Sequence, residues 1–343
     1  MMGNENIIRA WAVKQPGAEL ERYDFDAGQL KNDEVEIKVE YCGICHSDLS
    51  MMANDWGFSH YPLVPGHEVV GEIVRMGNAV KGLKVGQKVG LGWTAESCQH
   101  CDPCIGGHAN LCSHAVPTVL GGIHQGGFAD KVRAQWQWVI PLPENMDMSK
   151  AGPLLCGGIT VFEPLLQHGI NASHKVGVIG VGGLGHMALG FFNAWGCEVT
   201  AFSSNPDKYD AIYRMGAHKI LDSRDTEAFT QAAGSLDLIV STVNVKLDWN
   251  AYMTLLKPHG KLHIVGATLE PLDIAAFSLI SGQKAVAGSP TGSPAQLRTM
   301  IEFAARKQVE PIVEEYPMSR VNEAVQHLEA GKARYRIVLK SDW

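Results

Sequence analysis

Up to about residue 145 the apolar positions fall in short runs broken by Gly and Pro: VEIKVEY, HEVVGEIVRMG, QKVGLGW, FADKVRA and QWVIPLP. Their β-branched enrichment and the turn residues between them predict a β-rich, barrel-like body. The pattern changes at about Ser149. A buried strand, KVGVIGV, is followed by the helix GGLGHMALGFFNAWG, the strand EVTAFSS and the helix NPDKYDAIYRMG. Strand HKILDS, helix EAFTQAAG, strand LDLIVSTV, helix DWNAYMTLLKPHG and strand KLHIVGA continue the alternation. Such βαβα order predicts a parallel, doubly wound sheet of the Rossmann type. Beyond about residue 287 come the helices SPAQLRTMIEFAARKQ and VNEAVQHLEAGK and the strand RYRIVLK, which is expected to return to the first body. The fold expected is therefore α/β. A β-rich catalytic domain at 1–148 resumes at 287–343, and a dinucleotide-binding domain at 149–286 is inserted within it.

The 343 residues are 45% hydrophobic and 19% charged, ordinary for a globular enzyme. A net charge of −7 argues against general affinity for nucleic acid. No stretch reaches the ~18 continuous apolar residues of a membrane span. The N-terminal MMGNENIIRAWAVK shows no basic segment followed by an apolar one. A cytoplasmic protein with a small-molecule substrate, and neither nucleic acid nor membrane as partner, is expected.

The eight cysteines sharpen the picture. Cys98, Cys101, Cys104 and Cys112 form C-x2-C-x2-C-x7-C within the segment 93–115. Four thiolates close a tetrahedral shell, the pattern of a structural zinc lobe. A ferredoxin run would continue with three residues and then Cys-Pro; here seven intervene and Ser113 follows. His100, His108 and His114 are left as surface residues. Cys45, His67 and Cys156 are two thiols and one imidazole, a set that leaves one zinc position open for chemistry. Glu68, next to His67, is a second-shell acceptor or an alternative ligand. Cys42, three before Cys45, is the weaker candidate for a C-x2-C pair, and Cys197 reads as a small buried strand residue.

Gly180, Gly182 and Gly185, with Gly183 and Leu184 between them, spell G-x-G-x-x-G directly after an apolar strand and at the start of a helix. In that context the turn brings a pyrophosphate to a helix N-terminus. NAD enzymes place an acid ~20 residues on. Here Ser203, Ser204 and Asn205 occupy that region with no carboxylate before Asp207, and Lys208 adds a cation. The reading is NADP(H), with Ser204 or Asn205 also free to cap the next helix. Zinc beside a nicotinamide means hydride transfer to or from a carbonyl. Trp56, Trp93 and Leu120, with His60 nearby, are candidates for an apolar substrate wall, an ordinary core position being the alternative for either tryptophan.

The segments YCGICHSDLS, NDWGFSHYPLVPGHEVVGEIVRMG, GGFADKVRAQWQWVIPLPEN, AGPLLCGGITVF, GVGGLGH and GKARYRIVLK, with the four-cysteine lobe, resemble the zinc-dependent medium-chain alcohol dehydrogenases nearly end to end. Within them the chain is most similar to the cinnamyl-alcohol-dehydrogenase-like branch and its bacterial NADPH-dependent broad-range aldehyde reductases. The resemblance implies a GroES-like catalytic domain and two zinc ions per chain. Cys45, His67 and Cys156 would hold the catalytic zinc with Glu68 as transient ligand, and the four clustered cysteines the structural one. It implies that His46 contacts the pyrophosphate and that Thr160 lies near the cofactor. Val243, Val265, Gly266 and Ser289 would line the nicotinamide region, with Arg336 near the phosphates or in a structural ion pair. Ser47 would hydrogen-bond substrate oxygen and pass it a proton, a role compatible with capping a helix. Ser50 stands where plant members carry a relay histidine, so the path beyond Ser47 is open. A homodimer through the edges of the nucleotide-binding sheets is implied as well. The activity implied is reversible reduction of an aldehyde by NADPH and a proton to a primary alcohol. The alternatives are a dedicated aryl alcohol dehydrogenase and, in a different class, a non-enzymatic zinc or redox sensor. The intact ligand set and cofactor loop argue against the sensor.

Overall fold

A computed structural model describes residues 5–343. The chain divides into two compact units. One comprises the chain up to Cys156 with Gly292–Arg306 and Glu310–Trp343; the other comprises Gly157–Thr291 and Lys307–Val309.

The first unit begins with an antiparallel ribbon, β1 (Ile7–Ala12) on β2 (Glu21–Asp26). The long strand β3 (Glu34–Ile44) leads straight into α1 (His46–Ala53). Then come β4 (Val69–Met76), β5 (Lys88–Leu91) and β6 (Thr94–Glu96). The short helix α2 (Asp102–Ile105) follows, with β7 (Val116–Pro117), β8 (Lys131–Gln135) and β9 (Val139–Pro141). Helix α3 (Met148–Pro153) runs into a π-helical turn, Leu154–Gly158. β3 owes its length to residues that are buried almost throughout, so both of its faces are covered.

The second unit opens with α4 (Ile159–Gln167), β10 (Lys175–Ile179), α5 (Gly185–Trp195) and β11 (Glu198–Phe202). It continues with α6 (Tyr209–Arg214), β12 (Lys219–Leu221), α7 (Thr226–Gln231) and β13 (Leu236–Ser241). α8 (Trp249–Leu255), β14 (Leu256–Ile264), α9 (Ala276–Ile280) and β15 (Ala285–Gly288) complete it. The six strands are parallel, in the order β12-β11-β10-β13-β14-β15. This is the doubly wound arrangement with its reversal at β10 and β13, where such sheets bind dinucleotides. Under the sheet, Phe202, Phe229, Trp249 and Tyr252 pack edge to face and tilted, with centroids 5.1–6.4 Å apart.

The chain then supplies α10 (Pro294–Lys307), β16 (Val313–Pro317), α11 (Val321–Glu329) and β17 (Arg336–Lys340) to the first unit. There the main sheet runs β16-β17-β3-β4-β5-β9, with β8 on the other half of the β3 edge that β17 uses. β17 pairs antiparallel with β3, Ile337 opposite Ile44, so the last strand sits beside the segment that carries Cys45. The expected α/β class, a β-rich body plus a parallel doubly wound sheet, is the fold observed.

Candidate active site

Four buried donors meet in the first unit. The ligand atoms of Cys45, His67, Glu68 and Cys156 all lie within 4.8 Å of one another. Each comes from the end of an element. Cys45 stands between β3 and α1, as the N-cap of that helix. His67 and Glu68 precede β4, following Gly66 at φ 100°, a conformation that disfavours any side chain. Cys156 lies in the π-helical turn, a device frequent at functional sites. Glycines make room: a Cβ on Gly43 would fall 2.0 Å from Glu68 Oε2, and one on Gly152 would fall 2.6 Å from the Glu68 carbonyl oxygen.

Asp48, fully buried, organises the cluster. Its carboxylate accepts from the Cys45 amide (3.0 Å) and the Gly66 amide (2.8 Å), and lies 2.8 Å from His67 Nδ1. With Nδ1–H donated to Asp48, His67 presents Nε2 as its donor atom, and Nε2 is 3.1 Å from Cys156 Sγ. The hydrogen bond from Cys156 holds the Cys45 thiol well below the usual thiol range, and the same contact pushes Cys156 well above it. Burial raises the Glu68 carboxyl to about 6 against the opposing pull of Arg336. Arg336, itself buried, forms an ion pair with Glu68 Oε1 and donates to the Ile44 carbonyl. Glu68 Oε2 is buried without a hydrogen-bond partner. Two soft thiols, an imidazole and an orphaned carboxylate oxygen, all out of water, fit a zinc ion, whose charge is what lets both thiols ionise there.

Trp93 packs edge-on against the His67 ring at 4.9 Å, and Trp56 packs edge-on against Trp93 at 6.0 Å. Phe58, which the sequence pattern did not single out, stacks on Trp56. Leu120 is half-buried, and Gly121 beside it packs on the carbonyl of the exposed His60. Ser47 is the second residue of α1, so Cys45 and not Ser47 holds the cap; the capping alternative for Ser47 is thereby corrected. His46 is exposed at the first position, and Ser50 lies in the same helix. Cys42 is buried but outside the donor group, its thiol pushed up by burial. Arg336, expected near cofactor phosphates or in an ion pair, makes the ion pair.

The second group is Cys98, Cys101, Cys104 and Cys112, again within 4.8 Å. Cys101 caps α2, which carries Cys104, and Cys112 ends the turn Ala109–Leu111. Backbone N–H groups of His100 and Cys101 aim at Cys98 Sγ and, with the neighbouring thiols, bring Cys98 down to about 6. Such a nest suits an all-thiolate zinc. His100, His108 and His114 are exposed.

In the second unit, Gly180 closes the turn after β10 at φ 85°. A Cβ on Gly185 would lie 1.8 Å from the Gly180 carbonyl oxygen, whereas Gly182 faces open space. Those are the tight turn, the close packing and the free approach that a pyrophosphate loop requires. Gly183 and Leu184 complete the loop, with Leu184 at the N-cap of α5. A cavity of about 240 Å³ adjoins it, lined among others by Ser203, Ser204, Asn205, Lys208, Ser223 and Val243, and no carboxylate lines it. Asn205 caps the turn Pro206–Lys208 by accepting from the Asp207 amide (3.0 Å). Hydroxyls and a cation with no competing acid fit a nucleotide carrying a 2′-phosphate. The amides of Val265 and Gly266 both donate to the Ser241 carbonyl, and Gly266 lies against the Val243 carbonyl. Thr160 is the second residue of α4. Ser289 Oγ is 2.9 Å from Nε2 of the buried His263, whose Nδ1 is 2.8 Å from His168 Nε2. Cys197, buried at the foot of β11, is pushed up to about 11 by burial.

Asp48, Arg224 and His263 were not singled out by the sequence pattern. For Asp48 a signal existed: an acid three residues after a helix cap is the capping-box spacing.

Fold and donor sets together define a zinc-binding dehydrogenase. The model "Alcohol dehydrogenase GroES-like domain" matches residues 31–144 and "Zinc-binding dehydrogenase" matches 183–306. The chain belongs to this zinc-binding alcohol dehydrogenase family. It is 51% identical to the aldehyde reductase AdhA of Synechocystis sp. over 97% of this chain and 98% of that one. The cinnamyl alcohol dehydrogenase of Sorghum bicolor superposes with a TM-score of 0.92 at 40% identity, covering 97% of both chains. The cinnamyl alcohol dehydrogenase of Helicobacter pylori, solved with NADP(H), superposes with a TM-score of 0.89 at 31% identity, covering 97% of this chain and 98% of that one. Among the described residues no helix is long and apolar enough to cross a membrane.

Proposed function

We propose that the chain is a zinc-dependent, NADPH-linked aldehyde reductase of broad aliphatic and aromatic range, forming primary alcohols reversibly. The observation that carries this is the buried set of two thiols, one imidazole and one carboxylate with Asp48 behind the imidazole. The relatives named as aldehyde reductase and cinnamyl alcohol dehydrogenase support it. When bound, zinc on Cys45, His67 and Cys156 supplies a Lewis acid for a carbonyl oxygen, and NADPH supplies the hydride.

The chain's own residues do the rest. Asp48 fixes the tautomer of His67. Glu68 offers its unpartnered oxygen as a further donor while Arg336 balances its charge. The Ser47 hydroxyl hands a proton to the product oxygen. Ser50 does not titrate near neutrality, so the path outward from Ser47 uses water and cofactor hydroxyls. Trp56 and Trp93 form an apolar wall beside His67, with Leu120 and His60 at its rim, which suits unbranched or aromatic chains without an anionic group. Ser203, Ser204, Asn205 and Lys208 receive the 2′-phosphate; the Gly180–Gly185 loop receives the pyrophosphate. Thr160, Val243, Val265, Gly266 and Ser289 border the nicotinamide. Cys98, Cys101, Cys104 and Cys112 hold a second zinc that stabilises the fold. A cytoplasmic homodimer, joined at the edge of the second unit's sheet, completes the reading.

The test is NADPH-dependent kcat/KM for hexanal and cinnamaldehyde, side by side, on zinc-loaded protein. Comparable values are expected. A preference beyond tenfold, about 1.4 kcal/mol of transition-state discrimination, would establish a dedicated aryl enzyme instead. No turnover of either aldehyde would overturn the reading.

A further inference from the structure

We propose that Arg224 is a specificity-determining residue for the 2′-phosphate of the cofactor, reaching the site from a different strand than the serines; this rests on the NADP(H) reading above. β11 and β12 are parallel neighbours, Phe202 opposite Leu221, and the Ser203 amide donates to the Leu221 carbonyl at 3.1 Å. The loops after the two strands therefore leave the sheet side by side at its carboxyl edge, where ligands of such sheets bind. The first loop carries Ser203, Ser204 and, further on, Lys208. The second carries Asp222, Ser223 and Arg224, and Ser223 lines the same cavity.

Arg224 Nη2 donates to the Ser204 carbonyl at 2.5 Å, and Nε and Nη2 each lie 3.3 Å from an oxygen of Asp222. The guanidinium is thus pinned over the first loop by both its ends. Its Nη1 has no hydrogen-bond partner among the described residues, and its side chain is 68% exposed. Two consequences follow for a dianion seated on Ser203 and Ser204. Lys208 and Arg224 flank it from two different loops. The unpartnered Nη1 adds charged N–H donors at that rim, on a guanidinium held in place through its other two nitrogens.

Charge makes a second contribution. Asp222 adjoins the cavity-lining Ser223, and its ion pair with Arg224 offsets its charge. Removing Arg224 would both delete a donor and leave the Asp222 charge, one residue from the cavity-lining Ser223, without its partner. A nucleotide lacking the 2′-phosphate has no dianion to lose this donor or to be repelled by the carboxylate, so the residue discriminates between the two cofactors.

The experiment is calorimetric titration of the full-length protein with 2′,5′-ADP and with 5′-AMP, for the parent and for Arg224→Gln. The side chain is mostly solvent-exposed, so the substitution leaves the packed core intact. The parent is expected to prefer 2′,5′-ADP. R224Q is expected to lose at least tenfold affinity for 2′,5′-ADP while changing less than twofold for 5′-AMP. Equal losses for both ligands, or no loss for either, would overturn the role of Arg224 with the NADP(H) reading intact. A parent with no preference for 2′,5′-ADP would overturn that reading itself, and the proposal with it.

Discussion

A carboxylate with no exposure to solvent needs hydrogen-bond donors on both oxygens, and Asp48 finds them in two backbone amides and the His67 ring. Its replacement by Asn removes the charge behind the imidazole and leaves one acceptor oxygen where the Cys45 and Gly66 amides use two. D48N is expected to bind zinc about 10–100-fold more weakly, measured by competition with a chromogenic chelator. At the other site, Ser203→Asp would set a fixed negative charge against the 2′-phosphate. The ratio of kcat/KM for NADPH over NADH should fall by tenfold or more, and an unchanged ratio would remove Ser203 from that role. These residues differ in how far the sequence revealed them. Cysteines at metal spacing and glycines in a loop are chemically singular, so the two donor groups and the loop stand out in the bare chain. Asp48, Arg224 and His263 belong to types used everywhere; only the contacts made in three dimensions distinguish them. Arg336 shows the same limit, since its partner, Glu68, is remote in sequence and adjacent in space.

Elements with strong periodicity were legible for a physical reason: a strand buried on both faces, such as β10 or β13, must be a continuous apolar run. The short edge strands β7 and β15, and β16 with its VEEYP composition, carry no such signature and emerge only from pairing. Helix α1 shows in the sequence only through Ser47 as a cap candidate, since it buries just Asp48, Met51 and Met52. β14 carries a titratable consequence. Burial, with a contribution from His168, brings His263 down to about 4. An unfolded histidine titrates near 6.5, so between pH 6.5 and about 4 the unfolded chain binds a proton that the folded one refuses. Stability should therefore fall as pH drops through that window, by up to about 3 kcal/mol from this group. His263→Gln, which keeps hydrogen-bonding capacity without the titration, is expected to flatten that limb of a urea-midpoint against pH curve. On the sheet's aromatic side, Trp249→Ala should cost about 3–5 kcal/mol in urea unfolding, since Trp249 is only 2% exposed within the ring cluster.

For the molecule as a whole, the change from turn-punctuated β runs to βαβ alternation was enough to read the α/β class and the parallel sheet. The strand order was not readable, because it depends on which edge each crossover takes. The four-cysteine lobe has little apolar core of its own, with α2 burying no residue. Cys101→Ser is expected to lower soluble yield and to leave one zinc per chain instead of two by atomic absorption, with the remaining metal at the Cys45 group.

The partnership of β17 with β3 has a bearing on biosynthesis. The first unit's central strand leaves the ribosome early, but the strand that covers its free edge follows roughly 290 residues later, ~15–60 s at ordinary elongation rates. During that interval the backbone of Tyr41–Ile44 has no partner on that side, and Glu68 lacks the guanidinium that neutralises it. The second unit, contiguous but for three residues, is under no such delay. The nascent chain at that stage is thus a nucleotide-binding module joined to a sheet whose β3 edge still lacks β17.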